Sequence, residues 1–405
     1  MARRSLQGIR VLDVTLVYAG PFCGLLLADL GAEVIKIERP GGEVGRFIPP
    51  FHEADAPAPQ QRENLSGYFL SLNRNKLGLT LNLKHPKGVE IFKELVKISD
   101  VVLENYAPGV MKRLGIDYPV LKELNPRLIM ASISGFGQKG PNSQRTAYDI
   151  VAQAMGGLMS LTGYPDGPPT KTGTSLGDCV ASLYAALGIV ASLHNRSFTG
   201  RGQYVDVSQQ ESIASILEAA VARYTMEGKV LPRIGSNNPN ASPYGAFKCK
   251  DGYFIAATAG EEQWQKFCQA LGMEKWMQDP RYRTNVDRLA HVFEIQKDIE
   301  EWAKEYTIEE ILRKLDKNRV ACSRIQNIEE LAHDPHLKER GFFVEVEHPV
   351  IGKVILPGAP YKFSETPLAE PQPSPGLSEH NVYILTQYLR KTKEEINQLS
   401  AEGVF

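Results

Sequence analysis

The sequence predicts an α/β protein with a parallel sheet in a larger domain and a smaller α+β domain. A strand, a helix and a second strand follow one another within about 30 residues near the N-terminus, which is the βαβ pattern of parallel sheets. The same alternation then repeats further along the chain. From residue 229 the composition changes to short strands followed by charged helical stretches. A chain of 405 residues also exceeds what one hydrophobic core usually serves.

Each element of the larger domain has its own signal. Residues 9–14 are an apolar run typical of a buried strand, and residues 21–30 predict a helix, with Pro21 in its first turn and Gly31 at its end. Residues 33–38 predict the second strand. Further predicted elements are the strands 80–83, 100–104, 128–133 and 202–208, the helices 86–99, 109–114 and 118–124, the apolar helices 148–161 and 178–195, and a long helix 209–227.

The predicted domain boundaries follow these changes of pattern. Residues 1–200 form the first part of the large domain, 201–227 a linker helix, and 228–326 the small domain, in which strands 245–248 and 253–257 precede helices. Residues 327–405 return to a strand-rich pattern. Residues 43–64, rich in proline, predict a long loop.

Composition excludes several classes of function. A formal net charge of −1 gives no general reason to bind nucleic acid or an anionic membrane. The five cysteines show no metal-ligand or disulfide spacing, and the N-terminus lacks a secretory signal, so we expect a cytoplasmic protein. The most apolar window, residues 181–193, is too short to cross a bilayer. His333 and His336 have no neighbouring third ligand, so no metal site is predicted.

The turn after the first strand predicts a site for an anionic ligand. In open α/β sheets such ligands bind where a strand leads into a helix N-terminus, here residues 15–20. The turn matches neither the dinucleotide fingerprint nor the P-loop, so nicotinamide and nucleoside triphosphate enzymes are not expected. Basic residues recur after the predicted strands and as a group predict a polyphosphate ligand, although each alone is typical of a solvated surface: Arg39, Arg74, Lys76, Lys112 and Arg113.

Asp178 is the most informative single residue. It follows the short polar run 172–177 and precedes a strongly apolar helical stretch. Aspartate is a preferred helix cap, so the segment alone favours a structural role. A carboxylate at such a turn is equally available for chemistry, and the rest of the chain decides between the two.

The chain resembles the class III (family III) CoA-transferases of the CaiB/BaiF type. The resemblance extends over essentially the whole sequence in order. The motifs that carry it are Val11–Thr15, Ala19–Cys23, Leu27–Gly42, Ser71–Lys76, Glu104–Asn105, Ser134–Gly137, Gly167–Pro169, Gly177–Asp178, Gly202–Val207 and Phe363–Pro367.

This resemblance implies a fold, a ligand and a set of site residues. It implies a Rossmann-like large domain completed by residues 327–405, a small domain, and an interlocked ring-like homodimer or a heteromer with a related subunit. It implies that coenzyme A is bound as substrate and product and that Asp178 is the catalytic residue. The implied CoA contacts are Leu16, Val17, Tyr18, Ala19, Arg39, Leu72, Asn73, Lys76, Asn105, Tyr106, Arg113 and Phe136.

An aspartate suits this chemistry. Its carboxylate attacks a thioester to give a mixed anhydride and a CoA thiolate, and the thiolate then attacks the aspartyl carbonyl to leave an aspartyl-CoA thioester. The thioester energy is conserved throughout, so the reaction needs no ATP site, in agreement with the missing P-loop. Backbone N–H groups at Gly137 or Gly177 are candidates for stabilising the oxyanions. Cys179 is a weaker candidate nucleophile, because the family places its catalytic acid one residue earlier.

Three alternatives share the fold. Acyl-CoA racemases of the same fold use a His-Asp pair where this chain has Tyr148-Asp149, and a tyrosine is a poor base at neutral pH. Transfer is therefore favoured over racemisation. A non-catalytic subunit of a heteromeric transferase would not be expected to keep Asp178. A CoA-binding regulatory protein is not excluded by fold.

The acceptor acid is only partly constrained. Formyl-CoA:oxalate members carry a glycine run that covers the site, whereas residues 235–243 here are polar without that run. We therefore expect a larger carboxylic acid, with succinyl-CoA as the donor. Candidate acceptor contacts are Gly137, Tyr148, Asn237 and Asn240, although asparagines in such a segment are also typical of turns.

Overall fold

The computed structural model describes residues 3–51 and 66–405. The strands within these ranges are β1 (Arg10–Asp13), β2 (Glu33–Glu38), β3 (Lys76–Thr80), β4 (Val101–Glu104), β5 (Ile129–Ser134), β6 (Tyr204–Ser208), β7 (Tyr244–Cys249), β8 (Gly252–Ala257), β9 (Ala321–Arg324), β10 (Phe343–His348) and β11 (Gly352–Pro357).

The helices of the described residues are α1 (Ala19–Asp29), α2 (Gly67–Asn73), α3 (Pro86–Lys97), α4 (Val110–Arg113), α5 (Tyr118–Leu124), α6 (Asp149–Met155), α7 (Leu158–Leu161), α8 (Leu176–Thr199), α9 (Gln209–Ser215), α10 (Ala220–Glu227), α11 (Glu261–Leu271), α12 (Asn285–Ala290), α13 (Val292–Ala303), α14 (Ile308–Lys317), α15 (Ile328–Ala332), α16 (Pro335–Glu339), α17 (Asn381–Leu389) and α18 (Lys393–Ala401). Short 3₁₀ helices span Val44–Phe47 and Glu274–Gln278.

The first six strands form one parallel sheet in the order β3-β2-β1-β4-β5-β6. This is a doubly wound order, in which the chain reverses direction across the sheet between β1 and β4. Strands β1 to β5 are buried almost throughout, because helices cover both faces and apolar side chains therefore point both ways, whereas the edge strand β6 is partly exposed. The predicted parallel α/β sheet is confirmed.

Alternate residues of the sheet enter two separate cores. On one face Leu12 and its neighbours pack against α3, α5, α17 and α18. On the other face Val11 and its neighbours pack against α1 and α8, including Ala181, Ala185 and Ile189 of α8. The window 181–193 was expected to be too short to cross a bilayer. The helix α8 that contains it has 24 residues and is long and apolar enough to do so by length and composition alone. Core helices of folded domains meet the same criteria, and α8 packs against the sheet in this way.

The described chain divides into two compact units. The larger comprises residues 1–158, 172–218 and 336–405, and the smaller comprises residues 159–171 and 219–335. The smaller unit contains the antiparallel sheet β7-β8-β9 and a core around Phe247, Trp264 and Phe267. The antiparallel hairpin β10-β11 belongs to the larger unit.

Several predicted boundaries were wrong for identifiable reasons. The strand β3 begins at Lys76 rather than residue 80, because the charge of Lys76 is neutralised inside the fold and does not end the strand. The predicted helix 148–161 is interrupted at Gly156-Gly157. The predicted helix 209–227 is interrupted at residues 216–219, where Glu218 has a φ of 50°. Of the predicted loop 43–64, residues 52–64 lie outside the described residues.

The C-terminal segment closes one edge of the parallel sheet. The Gly78 N–H donates to His380 Nδ1 at 3.1 Å, and the Thr80 N–H donates to Asn381 Oδ1 at 2.9 Å. The Asn82 N–H donates to the carbonyl of Val404 at 2.7 Å. The edge strand β3 therefore obtains hydrogen-bond partners from residues some 300 positions later in the chain.

Candidate active site

The turns that follow β1 and β4 meet at the carboxyl edge of the sheet. The backbone N–H of Leu16 donates to Asn105 Oδ1 at 2.8 Å, and Asn105 Nδ2 donates to the Leu16 carbonyl at 2.9 Å. Because the strand order reverses between these two strands, their turns frame the crevice in which such sheets bind ligands. The predicted anion-binding turn therefore lies at the topological switch point.

The turn after β1 is held in a strained conformation. Val17 has a φ of 65°, a left-handed conformation that a β-branched residue rarely adopts. Its N–H donates at 3.0 Å to Oε2 of the buried Glu43, which also accepts from the Gly45 N–H at 2.9 Å. A strained backbone conformation of this kind persists only where several surrounding contacts hold it in place, and such strain is frequent at binding sites.

Asp178 lies in the first turn of α8 but does not cap the helix. The helix begins at Leu176 with Ser175 at the N-cap position, so Asp178 is its third residue. Its carboxylate accepts a hydrogen bond from Nε2 of Gln209, the first residue of α9. The interpretation of Asp178 as a simple helix cap is therefore wrong, and its side chain is turned toward another element.

A different carboxylate stabilises the start of α8. Asp149, the first residue of α6, accepts from the Gly177 N–H at 2.7 Å and from Gln153 Nε2 at 2.8 Å. The buried Gln153 also accepts from the Thr172 N–H at 3.0 Å. Two side chains of α6 thus fix the loop that carries Asp178, and Gly177 has no N–H left for an oxyanion.

Burial makes Asp178 a weaker acid than usual. Desolvation, helped by the negative charge of Asp149, raises the pKa of Asp178 to about 7, although the hydrogen bond from Gln209 acts in the opposite direction. A carboxyl group with a pKa near neutrality in a framed crevice is typical of functional sites.

Aromatic side chains lie beside Asp178. Tyr18 stacks at a tilt against Tyr68, with 6.3 Å between ring centroids, and its Oη accepts from Cys179 Sγ at 3.3 Å. Burial raises the pKa of both tyrosines, and the charge of Asp178 contributes to each shift. They therefore stay neutral at physiological pH.

One hydroxyl links the two main parts of the site. The buried Ser182 Oγ lies 2.6 Å from the Ala19 carbonyl and 2.7 Å from the Asp178 carbonyl. The turn after β1 and the first turn of α8 are therefore adjacent, with Ala19 linked to Asp178 through Ser182 and Tyr18 bonded to the neighbouring Cys179.

Two of the predicted cations are not available to a phosphate. Lys76 is buried, and its three N–H groups go to Asp13 at 2.8 Å, to the Pro21 carbonyl at 2.8 Å and to Asn73 at 2.9 Å. Arg74 forms a buried ion pair with Asp29. Arg74 precedes β3 and Lys76 is its first residue, so neither follows a strand, which corrects the expectation that they meet at the ligand edge. Arg39, Lys112 and Arg113 are exposed.

The other predicted CoA contacts have mixed settings. Leu72 and Asn73 are buried, and Asn73 Nδ2 donates to the Phe69 carbonyl at 3.1 Å. Tyr106 is half-buried, and burial together with Glu104 raises its pKa to about 12. Phe136 follows β5 with the Arg145 guanidinium 5.4 Å from its ring centroid.

The candidate acceptor contacts lie in both units. Gly137 has a φ of 77°, and the next N–H, of Gln138, donates to Asp206 at 3.0 Å. Tyr148 is 74% exposed. In the smaller unit Asn237 Nδ2 donates to Gln296 at 3.0 Å, and Asn240 Oδ1 accepts from Arg223 at 2.9 Å. Both amides have the local partners that turn-forming asparagines usually have.

Within residues 3–51 and 66–405, no group of three or more His, Cys, Asp or Glu side chains could hold a metal ion. His333 Nδ1 instead lies 2.9 Å from the Glu329 carbonyl, one helical turn earlier.

Residues 6–381 match the model of the CoA-transferase family III. This match covers far more than half of the chain. The chain belongs to CoA-transferase family III. It is therefore a CoA-transferase, and membership of this family implies that coenzyme A is part of its substrate.

Curated relatives of the family act on different acids. The chain is 36% identical over 403 residues to the human succinyl-CoA:glutarate CoA-transferase, covering 99% of this chain and 90% of the relative. It is 38% identical over 395 residues to the succinyl-CoA:mesaconate CoA-transferase of Haloarcula marismortui, covering 95% and 96%. It is 37% identical over 423 residues to the formyl-CoA:oxalate CoA-transferase of Streptomyces coelicolor, covering all of both chains.

A solved structure has the same fold. The CAIB/BAIF family protein from Brucella suis superposes with a TM-score of 0.84 at 34% identity, over 95% of this chain and all of that one. This similarity supports the α/β architecture with its two small antiparallel sheets.

Sequence reasoning missed several residues of the site. Glu43, Tyr68, Gln153 and Gln209 contact the site from distant segments and carry no motif of their own. Asp149 was noted only as part of the dipeptide that distinguishes transferases from racemases. Its position in the first turn of the predicted helix 148–161 was the one available signal, because acidic residues are favoured at helix N-termini.

Proposed function

We propose that this family III CoA-transferase moves CoA from an acyl-CoA, preferably succinyl-CoA, to a carboxylic acid acceptor, with Asp178 as the covalent carrier. The observation that carries the proposal is the position of Asp178 in the first turn of α8. Ser182 joins this turn to the turn 16–19 at the switch point of the sheet, and the charge of Asp178 acts on Tyr18. Family membership gives CoA transfer, and the position of Asp178 supports its proposed role as the nucleophile.

The proposed reaction runs through two kinds of intermediate. One oxygen of ionised Asp178 attacks the thioester carbonyl, and the C–S bond breaks to give a mixed anhydride and the CoA thiolate. The thiolate attacks Cγ of Asp178 and displaces the donor acid, leaving an aspartyl-CoA thioester. The acceptor carboxylate then reverses both steps and leaves as the new acyl-CoA.

Burial around Asp178 suits these intermediates. Anhydrides and thioesters hydrolyse in water, and exclusion of water from the site protects them. Tyr18 and Tyr68 provide neutral aromatic surface near the carboxyl group. The pKa of Asp178 near 7 leaves a large fraction ionised at neutral pH while making it a better nucleophile than an ordinary carboxylate.

We propose that CoA lies along Leu16, Val17, Tyr18 and Ala19, with Arg39 and Arg113 near its phosphates. Both cations are exposed at the carboxyl edge, where anionic groups bind in such sheets. In this arrangement Leu72, Asn73 and Lys76 support the site from the interior, since Leu72 is buried and the side-chain polar groups of Asn73 and Lys76 are bonded within the protein.

Succinyl-CoA is the proposed donor for two reasons. Relatives named for glutarate and for mesaconate use succinyl-CoA and match over nearly the whole chain. Residues 235–243 lack the glycine run of formyl-CoA:oxalate enzymes. A formyl-CoA:oxalate relative is equally similar, so a direct comparison of the two substrate pairs decides.

The test combines an activity panel with chemical trapping. Purified protein is given succinyl-CoA or formyl-CoA with oxalate, dicarboxylates and aromatic acids. Separately it is incubated with acyl-CoA and hydroxylamine or borohydride, and the modified residue is located by mass spectrometry. Modification at Asp178 and loss of transfer in Asp178→Ala support the proposal.

A matched control guards against general effects of removing a carboxylate. Asp117 stands at the N-cap of another helix, α5, and its side chain makes no cap hydrogen bond, so Asp117→Asn should keep full activity. Full activity in Asp178→Ala, or epimerisation of a 2-methylacyl-CoA without any acceptor acid, would contradict the assignment.

We further propose that the enzyme is a homodimer. Apolar side chains of the larger unit are exposed on α6 and α8, with Leu187 at 64%, Ile150 at 49% and Leu183 at 48%. The two helices are in contact, and apolar surface exposed on neighbouring helices is typical of an interface. Sedimentation equilibrium tests the dimer, and a monomer at micromolar concentration would contradict it.

A further inference from the structure

The amide of Gln209 contacts the reacting group directly. Gln209 is the first residue of α9 and is only 7% exposed. Its Nε2 donates to Oδ1 of Asp178 across 31 positions of sequence. An ionised carboxylate only accepts hydrogen bonds, so the N–H side of the amide must face Asp178.

The backbone that carries Gln209 is fixed. Ser208 caps α9 by accepting from the Glu211 N–H at 3.2 Å, and the Gln210 N–H donates to the Gly135 carbonyl at 3.0 Å. The amide therefore reaches Asp178 from a rigid element at the carboxyl end of β6, as a preorganised donor should.

The nearby backbone donor is already engaged. The Gly177 N–H, directly before Asp178, donates to Asp149 at 2.7 Å. Charge that develops on Oδ1 of Asp178 therefore meets the Gln209 amide and not this N–H group.

We propose that Gln209 is a catalytic residue whose N–H stabilises the oxyanion formed on Asp178 Oδ1 when the CoA thiolate attacks Asp178 Cγ. This inference rests on the proposed function, since it takes Asp178 as the covalent carrier. It assigns to Gln209 the part that backbone N–H groups play in many acyl-transfer enzymes.

Attack of the CoA thiolate on the mixed anhydride conserves bonds and electron pairs. In the mixed anhydride Oδ2 of Asp178 is bonded to the donor acyl group and Oδ1 is the carbonyl oxygen. The thiolate forms an S–Cγ bond, and the π electron pair of the carbonyl moves to Oδ1. The pair returns as the Cγ–Oδ2 bond breaks, and the donor acid leaves as its carboxylate. No proton, metal or oxidant is required.

A neutral amide suits every stage of this cycle. It donates to Oδ1 as a carboxylate oxygen, as an anhydride or thioester carbonyl and as an oxyanion, with the greatest gain in the last state. A lysine or arginine at the same place would hold Asp178 as a permanent ion pair and lower its nucleophilicity.

Single-turnover kinetics test the assignment. Protein is mixed with succinyl-CoA in the absence of acceptor, quenched with acid, and the aspartyl-CoA adduct at Asp178 and the released succinate are followed by mass spectrometry. Gln209→Met matches the glutamine in size and has no N–H donor. We expect it to form the adduct about 100- to 1000-fold more slowly, with the KM for succinyl-CoA within a few-fold of wild type.

The control is the next residue. Gln210 has the same side chain on the same helix, but its Nε2 donates to the Met155 carbonyl at 3.0 Å. Gln210→Met should therefore form the adduct at the wild-type rate. Gln209→Ala provides a second donor-free variant if the methionine variant fails to fold, and the same slow adduct formation is expected.

The outcomes separate the two proposals. A wild-type adduct at Asp178 that forms equally fast in a folded Gln209 variant overturns the role of Gln209 and leaves the proposed function intact. A wild-type protein that transfers CoA without any adduct overturns the covalent carrier and this inference with it. If the KM for succinyl-CoA rises in a Gln209 variant while its rate of adduct formation stays unchanged, Gln209 serves substrate binding, and the proposal is also overturned.

Discussion

The carboxylate of Asp149 accepts the backbone N–H of Gly177 at 2.7 Å, one residue before Asp178. A side chain from a different helix therefore provides the cap that Asp178 itself does not give to α8. The same charge lies near enough to Asp178 to raise its pKa. Asp149 thus fixes both the position and the acidity of the proposed nucleophile.

Replacing Asp149 should separate these two effects. Asp149→Ala removes the acceptor and the charge, and we expect a loss of about 1–2 kcal/mol in the free energy of unfolding, as for other lost caps. Asp149→Asn keeps an acceptor for Gly177 and removes only the charge, so the pKa of Asp178 should fall while most stability remains. Urea unfolding and pH–rate profiles of both variants measure this. An unchanged profile in Asp149→Asn would show that the charge does not act on Asp178.

Activity should rise as the pH increases through about 7. Only ionised Asp178 is nucleophilic, and its pKa is about 7, so the fraction ionised one unit lower is about a tenth. kcat/KM measured from pH 5.5 to 8.5 reports this group in the free enzyme. Burial also raises the pKa of Glu104 to about 7, so the profile of Glu104→Gln is the necessary control. Its inflection should stay where it is in the wild type.

Asp178 should cost the protein stability at neutral pH. Its folded pKa is raised, so the folded state retains a proton that the unfolded chain loses, and the free energy of unfolding falls as pH rises from about 4 to about 7. Asp178→Asn removes this loss. We expect it to be more stable than wild type at pH 8 by about 1–3 kcal/mol, with partial exposure of the carboxyl limiting the gain. Denaturant unfolding at pH 4 and pH 8 provides the test, and an equal difference at both pH values would contradict it.

Lys76 should act through stability rather than through CoA binding. Its ammonium forms a buried ion pair with Asp13, and burial lowers its pKa to about 8. Lys76→Met leaves Asp13 buried without this partner and should cost about 3–5 kcal/mol. The double change Asp13→Asn with Lys76→Met should restore part of that loss. The exposed Arg39→Met is the contrast, with unchanged stability and a raised KM for acyl-CoA. A raised KM with normal unfolding in Lys76→Met would show that Lys76 serves the ligand.

The sheet was predictable because its signal is local. The buried strands β1 and β2 and the helix between them follow from apolar runs separated by turn residues. The start of β3 was missed because a charged Lys76 normally marks a surface, and only its distant partner Asp13 makes it an interior residue. Hydrophobic patterning contains no information about that partner.

The site was predictable to the extent that it follows motifs. Asp178 and the turn 16–19 belong to recognisable segments, and the structure brings them together through Ser182. The contact between Gln209 and Asp178 was not predictable, because a glutamine after a strand has many structural uses and no characteristic spacing. The strain at Val17 was equally hidden, since it depends on Glu43, 26 positions away.

The long-range closure of β3 has a consequence for how the protein is made. Thr80 finds its partner in Asn381, 301 positions later, so a ribosome-bound nascent chain carries an open sheet edge until Asn381 has been synthesised and has folded back. Contacts of such separation form slowly, and open edges attract other strands in the meantime. The smaller unit lies mostly within residues 219–335 and can complete its core before the larger one does. During synthesis the larger unit should therefore finish folding after the smaller one, although its first strands are translated earlier.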